Sequence, residues 1–391
     1  MTGCRPLSPH RQISLPRPMN EQSAKNALKQ LAHGDRRKLG ELLNWLLEHE
    51  NISQRYLPKD VEEAASSAAV DTGDGGLQAL LDDLTNRPDT LLVAFFPQEK
   101  ASGPVFDLPG ARIGPVSALL PDAPSMLKDT LQSNRPDTLA VLTRHAAQGR
   151  LGAIRNATWL QTVLGAISLA AYDHSRLIAP IALCPILGMA VFADTAAGVP
   201  DEVDRAALLA RGPGSTAQLG VLLSSREAVQ IILDATALTP IDLVQQRLTN
   251  AARWFQLASS ASSTADAVIS LGIALEILTG DAGTVGVTDK IIRRSAVFLA
   301  SGAPANERGD VYFDELKRAK KLYDLRSRVA HGRYDEWRSN QSAADDLRVD
   351  FQRFVLEVAL GFRRHARERN IRDDQDFSTW WKRVEIEGIS A

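Results

Sequence analysis

The sequence predicts an α+β protein, in which a mixed α/β N-terminal region precedes an all-helical C-terminal bundle. Three patterns lead there. Apolar residues at three- and four-residue spacing fill the last third of the chain, short apolar runs bounded by turn residues punctuate the middle, and glycine-bearing turns such as ASGAPANERGD separate the periodic stretches. The 391 residues, 44% of them hydrophobic, suffice for two or three domains with cores of their own.

Residues 1–20 carry prolines and scattered arginines without a continuous apolar segment, so they are expected to be disordered and do not read as a signal peptide. A helical segment with a linker is expected over 21–75. Leu28, Leu31, Leu39, Leu42, Leu43, Leu46 and Leu47 recur at helical spacing and predict two amphipathic helices between Gln22 and Glu50, and SSAAVDTGDGG (Ser66–Gly76) predicts a flexible joint. Residues 76–239 are expected to form a mixed α/β sensor domain. NRPDTL occurs twice in it, at 86–91 and 134–139, each time between a helical stretch and an apolar run. Pro88 and Pro136 end the helices and Asp-Thr favours a turn, so two helix–turn–strand units are expected. Ala153–Ala171 predicts a buried helix, and Thr195–Ser215 a surface loop with a short helix. From 240 to 370 the pattern is helical throughout, with helices expected over 242–259, 266–279, 289–299, 313–330 and 345–369, followed by a tail at 371–391.

Composition sets limits on function. With 45 basic against 47 acidic residues, no global field draws the chain to nucleic acid, so RNA binding has to rest on local patches. Two cysteines, Cys4 and Cys184, exclude a disulfide framework or a cysteine-built zinc site and fit a reducing, cytoplasmic compartment. The apolar run Leu177–Ala193 stands at the short limit for a membrane span and contains Pro180, Pro185 and Gly188. A buried strand or broken helix is expected there, and no membrane partner.

The chemistry-bearing constellation lies in KLYDLRSRVAHGR, where Arg326 precedes His331 by five positions. The spacing alone is weak, since Arg5 and His10 repeat it in the proline-rich N-terminus. Context separates the two pairs. The second closes a strong helix and is followed by Gly332, suited to a left-handed C-cap. His331 is then at a helix C-terminus, where the dipole favours the imidazolium form and poises it for proton transfer. Tyr323, Ser327 and His331 share one helix face, which lets the Ser327 hydroxyl orient the imidazole, and Arg326 offers a guanidinium fork to phosphate.

KLYDLRSRVAHG, with ALEIL (Ala274–Leu278) upstream, resembles the hallmark of Apea-like HEPN domains, and the similarity covers roughly residues 240–365. The resemblance implies a helical bundle that forms a homodimer with the two Arg/His motifs facing each other. It further implies metal-independent RNA cleavage to a 2′,3′-cyclic phosphate with no cofactor. Many catalytic members carry Asn, Asp or His directly after the arginine, where this chain has Ser327. Arg326 and His331 are the expected catalytic residues. Tyr323, Ser327 and Glu276 are the supporting ones, Glu276 either orienting Arg326, touching the substrate, or pairing with an arginine inside the bundle. The family's setting implies an effector in bacterial antiphage defence or stress-induced growth arrest, acting like a toxin on tRNA or other cellular or phage RNA under control of an unidentified trigger. The alternative is a non-catalytic HEPN module that binds nucleotide or RNA, or dimerises.

Further cations are expected either to track an RNA backbone or to form a solvated face: Arg328 and Arg333 beside the motif, and Arg363, Arg364 and Arg367 in RRHARERNIR. Trp380 and Trp381 either stack bases or pack the tail onto its own domain.

Overall fold

The computed structural model describes residues 19–33, 36–70, 76–86, 91–100, 104–119, 136–144, 149–175, 187–193, 204–209, 216–280, 287–333 and 341–387. It divides into two compact units. One comprises Met1–Pro88 with Ala147–Leu151, the other Asp89–Ala146 with Gly152–Ala391.

The first unit is helical: α1 (Glu21–Ala32), α2 (Leu39–Glu48), α3 (Glu50–Ser53), α4 (Pro58–Val70) and α5 (Gly76–Asn86). Asn20 caps α1 by accepting the Ser23 N–H at 2.9 Å, and Pro58 takes the first position of α4, where its missing N–H costs nothing. The apolar stripes close on Leu28, Leu42, Leu46, Ile52, Val61, Leu80 and Leu84. Two expectations change here. The segment Ser66–Val70 is the last turn and a half of α4 rather than joint, because Ala65 and Ala69 are buried on its packed face. And α5, read from sequence as the start of the middle domain, belongs to this unit, since Leu77, Leu80 and Leu84 join its core.

The second unit opens with β1 (Leu91–Lys100), β2 (Phe106–Leu108), β3 (Ala111–Pro115), α6 (Val116–Leu119), β4 (Thr138–Arg144), α7 (Gly149–Ser175), β5 (Leu187–Ala193) and β6 (Asp204–Leu209). The six strands form one antiparallel sheet in the order β2-β3-β4-β1-β5-β6. The strands that follow the two NRPDTL copies, β1 and β4, are thus direct neighbours, with Val93 opposite Leu142. Pro97 falls in the register irregularity between Phe96 and Lys100, where a missing N–H is tolerated. Alternation sends Leu92, Ala94 and Phe96 into the main core and Leu91, Val93 and Phe95 into a smaller cluster with Val116 and Leu119. The helix before the second copy, the two cysteines and the first part of the Leu177–Ala193 run lie outside the described residues. The rest of that run is β5. Residues 204–209, expected in a loop, are instead the edge strand β6, recruited by pairing with β5.

Helices complete the unit: α8 (Thr216–Ser224), α9 (Arg226–Ala235), α10 (Leu243–Ser260), α11 (Thr264–Thr279), α12 (Val287–Ala300), α13 (Arg308–Ala330), α14 (Gln341–Glu368) and α15 (Asp374–Glu387). Asp242 and Ser263 cap α10 and α11 by accepting from Gln245 N (2.9 Å) and Asp266 N (3.1 Å). From residue 243 on, every described element is a helix, as a bundle requires. Residue 240 is no core boundary, however. Leu160, Val163 and Leu164 of α7 share one apolar core with Leu248, Ala251 and Phe255 of α10 and with Phe351 and Phe354 of α14. Gly165 marks the contact, for a Cβ there would overlap the carbonyl oxygen of Ala252 and approach its Cα to 3.3 Å.

The expected C-terminal tail is also corrected, because α15 is part of the bundle. Phe377, Trp380, Trp381 and Val384 are buried. Two buried arginines clamp it: Arg247 donates to Leu278 O (2.9 Å) and pairs with Asp374 (2.7 Å), and Arg294 donates to Thr279 O (2.7 Å), both guanidiniums facing the Phe377 ring. The burial of both indoles excludes them from base stacking in this fold. No described helix is long and apolar enough to cross a membrane.

Candidate functional site

Helix α13 carries the site. At its middle, Arg318 pairs with Glu357 of α14 at 2.8 Å and with Asp350 at 3.1 Å. Its second half lays Leu322, Tyr323, Leu325 and Val329 into the core. The helix stops at a Schellman turn. Gly332 adopts φ +71°, its N–H reaches Val329 O at 2.9 Å, and the Arg333 N–H returns to Arg328 O at 2.9 Å. The C-cap residue is His331, which the turn leaves exposed.

Arg326 points the other way, toward α11. Its Nη2 pairs with Glu276 Oε1 at 2.7 Å, and the Tyr323 hydroxyl donates to the same oxygen at 3.0 Å. Burial, then the facing carboxylate, raises the Tyr323 phenol above its ordinary range, so it stays protonated and remains a donor at neutral pH. The Glu276 carboxylate thus pairs with Arg326, as both the orienting and the pairing readings require, and it fixes where that arginine sits. Among the described residues, Arg326 Nε is buried without a hydrogen-bond partner.

Gly272 completes the seat, and sequence reasoning missed it. A Cβ at 272 would overlap Arg326 Cγ and stand 3.3 Å from Cδ. The available signal was a glycine inside SLGIALEIL, an apolar helix where glycine costs stability unless packing needs it. Gly272→Ala is therefore expected to leave the fold intact, since the helix gains about 1 kcal/mol of propensity, while forcing Arg326 off Glu276. A thermal melt within a few degrees of wild type is the expected result; a melt lowered by much more would show that the helix cannot absorb the displaced side chain.

The remaining expected residues scatter. Five helical positions separate Arg326 and His331 by about 140° around the axis, so one points into the bundle and the other into solvent. Among the described residues the Ser327 hydroxyl makes no hydrogen bond to His331; only the Ser327 carbonyl does, accepting the His331 backbone N–H at 3.1 Å. Arg328 and Arg333 are exposed beside the motif. Arg363 and Arg367 are not free to track RNA: Arg363 pairs with Asp234 at 2.7 Å and Glu227 at 2.5 Å, Arg367 with Asp234 at 2.8 Å and Asp242 at 2.6 Å. The Asp234 side chain is fully buried, so its charge needs these partners. Arg364 is exposed and stands outside this network.

Comparison with protein-family models, curated proteins and solved structures found no match for this chain.

Proposed function

We propose that the chain is a metal-independent endoribonuclease of the HEPN type, acting as a homodimer in which Arg326 and His331 of each copy face the same RNA. The observation that carries this reading is the end of α13, where one helix holds an arginine in a built seat and presents an exposed histidine at its C-cap. Cleavage needs a base for the ribose 2′-OH, an acid for the leaving 5′-oxygen and cations for the phosphorane charge. One copy supplies a single histidine, so a second copy is needed for the acid and base roles. The 2′-oxygen attacks phosphorus as one imidazole takes its proton; the P–O5′ bond breaks as the other imidazolium protonates the leaving oxygen. Arg326 neutralises the phosphoryl oxygens. An effector role in antiphage defence or growth arrest is the setting proposed for this activity. The Glu276 pair, which occupies one face of the Arg326 guanidinium, favours a second reading, a non-catalytic module that binds RNA or nucleotide.

End chemistry separates these. Incubation of purified protein with cellular RNA in EDTA is expected to give 2′,3′-cyclic phosphate and 5′-OH ends, which resist ligation until treated with polynucleotide kinase. New 5′-phosphate ends that vanish with chelator would point to metal-activated water instead, and intact RNA with retained binding would point to the non-catalytic module.

A further inference from the structure

Helix α14 ends in a turn that faces α15. Asn370, at φ +54°, is the one non-glycine residue with left-handed backbone among those described. It lets the Asn370 and Ile371 N–H groups return to Arg367 O at 3.3 Å and Ala366 O at 2.9 Å. Asp373 then starts α15 by accepting the Asp376 N–H at 2.8 Å, while the Asp376 carboxylate reaches back to accept the Arg372 N–H at 3.1 Å. These reciprocal caps fix the turn against the helix. On α15, Asp376, Thr379, Trp380 and Arg383 follow one another at three- and four-residue spacing and share a face. That face and the turn at Arg369–Ile371 line one open notch of about 390 Å³.

The lining is almost entirely donor. Arg369 enters from the turn and Arg383 from α15, and neither forms an ion pair among the described residues. Thr379 adds a hydroxyl. Asn370 engages its side-chain oxygen with Arg372 Nε at 3.1 Å, so its amide N–H groups are what it has left to offer. Trp380 lines the same notch while only 7% exposed, and its indole N–H is buried with no acceptor among the described residues. A buried donor without an acceptor is unfavourable, and native structures rarely leave one. The one carboxylate, Asp376, is already turned to the Arg372 N–H. Two guanidiniums, a hydroxyl and an orphaned indole N–H call for a ligand that accepts hydrogen bonds and carries negative charge. A phosphate group fits them better than a carboxylate, because it brings close to two charges at neutral pH and three terminal oxygens.

We propose that the notch between the end of α14 and α15 binds a phosphate group, free or carried by a small molecule, held by Arg369 and Arg383 with the Trp380 N–H as a neutral donor. The volume lies at the small end of the range for small-molecule pockets, which suits a phosphate with a compact body attached. The site stands apart from the nuclease reading, since neither Arg326 nor His331 lines it.

The test is calorimetric titration of the full-length protein with inorganic phosphate, adenosine 5′-monophosphate and adenosine. Phosphate and the monophosphate are expected to bind, and adenosine is not. Tighter binding of the monophosphate assigns the notch to a phosphate ester, and equal affinity assigns it to free phosphate. Arg369→Gln and Arg383→Gln are each expected to weaken binding about tenfold, the worth of one charge-assisted hydrogen bond. The thermal midpoint of the unliganded variants should match wild type, because both side chains are exposed. Trp380→Phe keeps an aromatic ring and removes the donor, and is expected to weaken binding about threefold; should it unfold, the arginine variants decide. Arg364→Gln, exposed and outside the notch, controls for net charge. Absence of binding by phosphate and monophosphate at millimolar concentration overturns the site, as does unchanged affinity in both arginine variants or an equal loss in the Arg364→Gln control. A single-stranded RNA that binds more tightly than the monophosphate, and loses that affinity in the arginine variants, would reassign the notch to nucleic acid and overturn the small-molecule proposal.

Discussion

Under the proposed nuclease mechanism, RNA cleavage by the His331→Ala protein is expected to fall by about a hundred- to ten-thousand-fold, the usual cost of losing one well-placed proton-transfer group. Because His331 is exposed at a helix C-cap whose turn is held by backbone hydrogen bonds, the substitution removes no packing and its melting temperature should match wild type. Arg326→Ala is expected to lose activity to a similar degree, though for another reason. In that mechanism the arginine provides charge to the phosphorane, and its removal also leaves Glu276, among the described residues, with the Tyr323 hydroxyl as its remaining partner. Single-turnover cleavage, with size-exclusion chromatography to compare the oligomeric state of variant and wild type, makes the measurement. Activity of His331→Ala within twofold of wild type would remove the histidine from the mechanism.

The largest expected effect on stability is Gly165→Ala. The new methyl would fall on the carbonyl oxygen of Ala252, with its carbonyl carbon at 2.6 Å, and backbone cannot rotate away as a side chain can. Overpacking costs about 1–3 kcal/mol and occasionally more. The helix gains about 0.5–1 kcal/mol from replacing glycine, so the clash must exceed that gain for the protein to lose stability. A net loss of about 2 kcal/mol is expected, read as a lower urea midpoint with unchanged slope. A raised midpoint would mean that α7 and α10 pack less closely than described.

Three glycines show why parts of the molecule were hidden from sequence. Gly332 was legible, because a helix ending in a left-handed glycine is a local event decided over a few residues, and the Schellman turn is where the pattern places it. Gly272 and Gly165 were not, because each is required by an atom far off in the chain, Arg326 Cγ and Ala252 O. The same holds for charge. RRHARERNIR reads as a uniform basic run, but its arginines divide by partner: Arg363 and Arg367 meet Asp234, Glu227 and Asp242, which lie 125–136 residues earlier, while Arg364 and Arg369 form no ion pair among the described residues.

Periodicity and capping residues, which act within four or five positions, placed the helices of the bundle, the buried helix of α7 and the exposed histidine at the end of α13. Tertiary packing alone decided that 204–209 become an edge strand, that the C-terminal residues form a helix clamped by Arg247 and Arg294, and that the segments on either side of residue 240 share one core. Those outcomes depend on strand pairing, on desolvating buried charges beside their partners and on close backbone approach. Each of these is an interaction between distant segments, whose strength is set by geometry that no local pattern encodes.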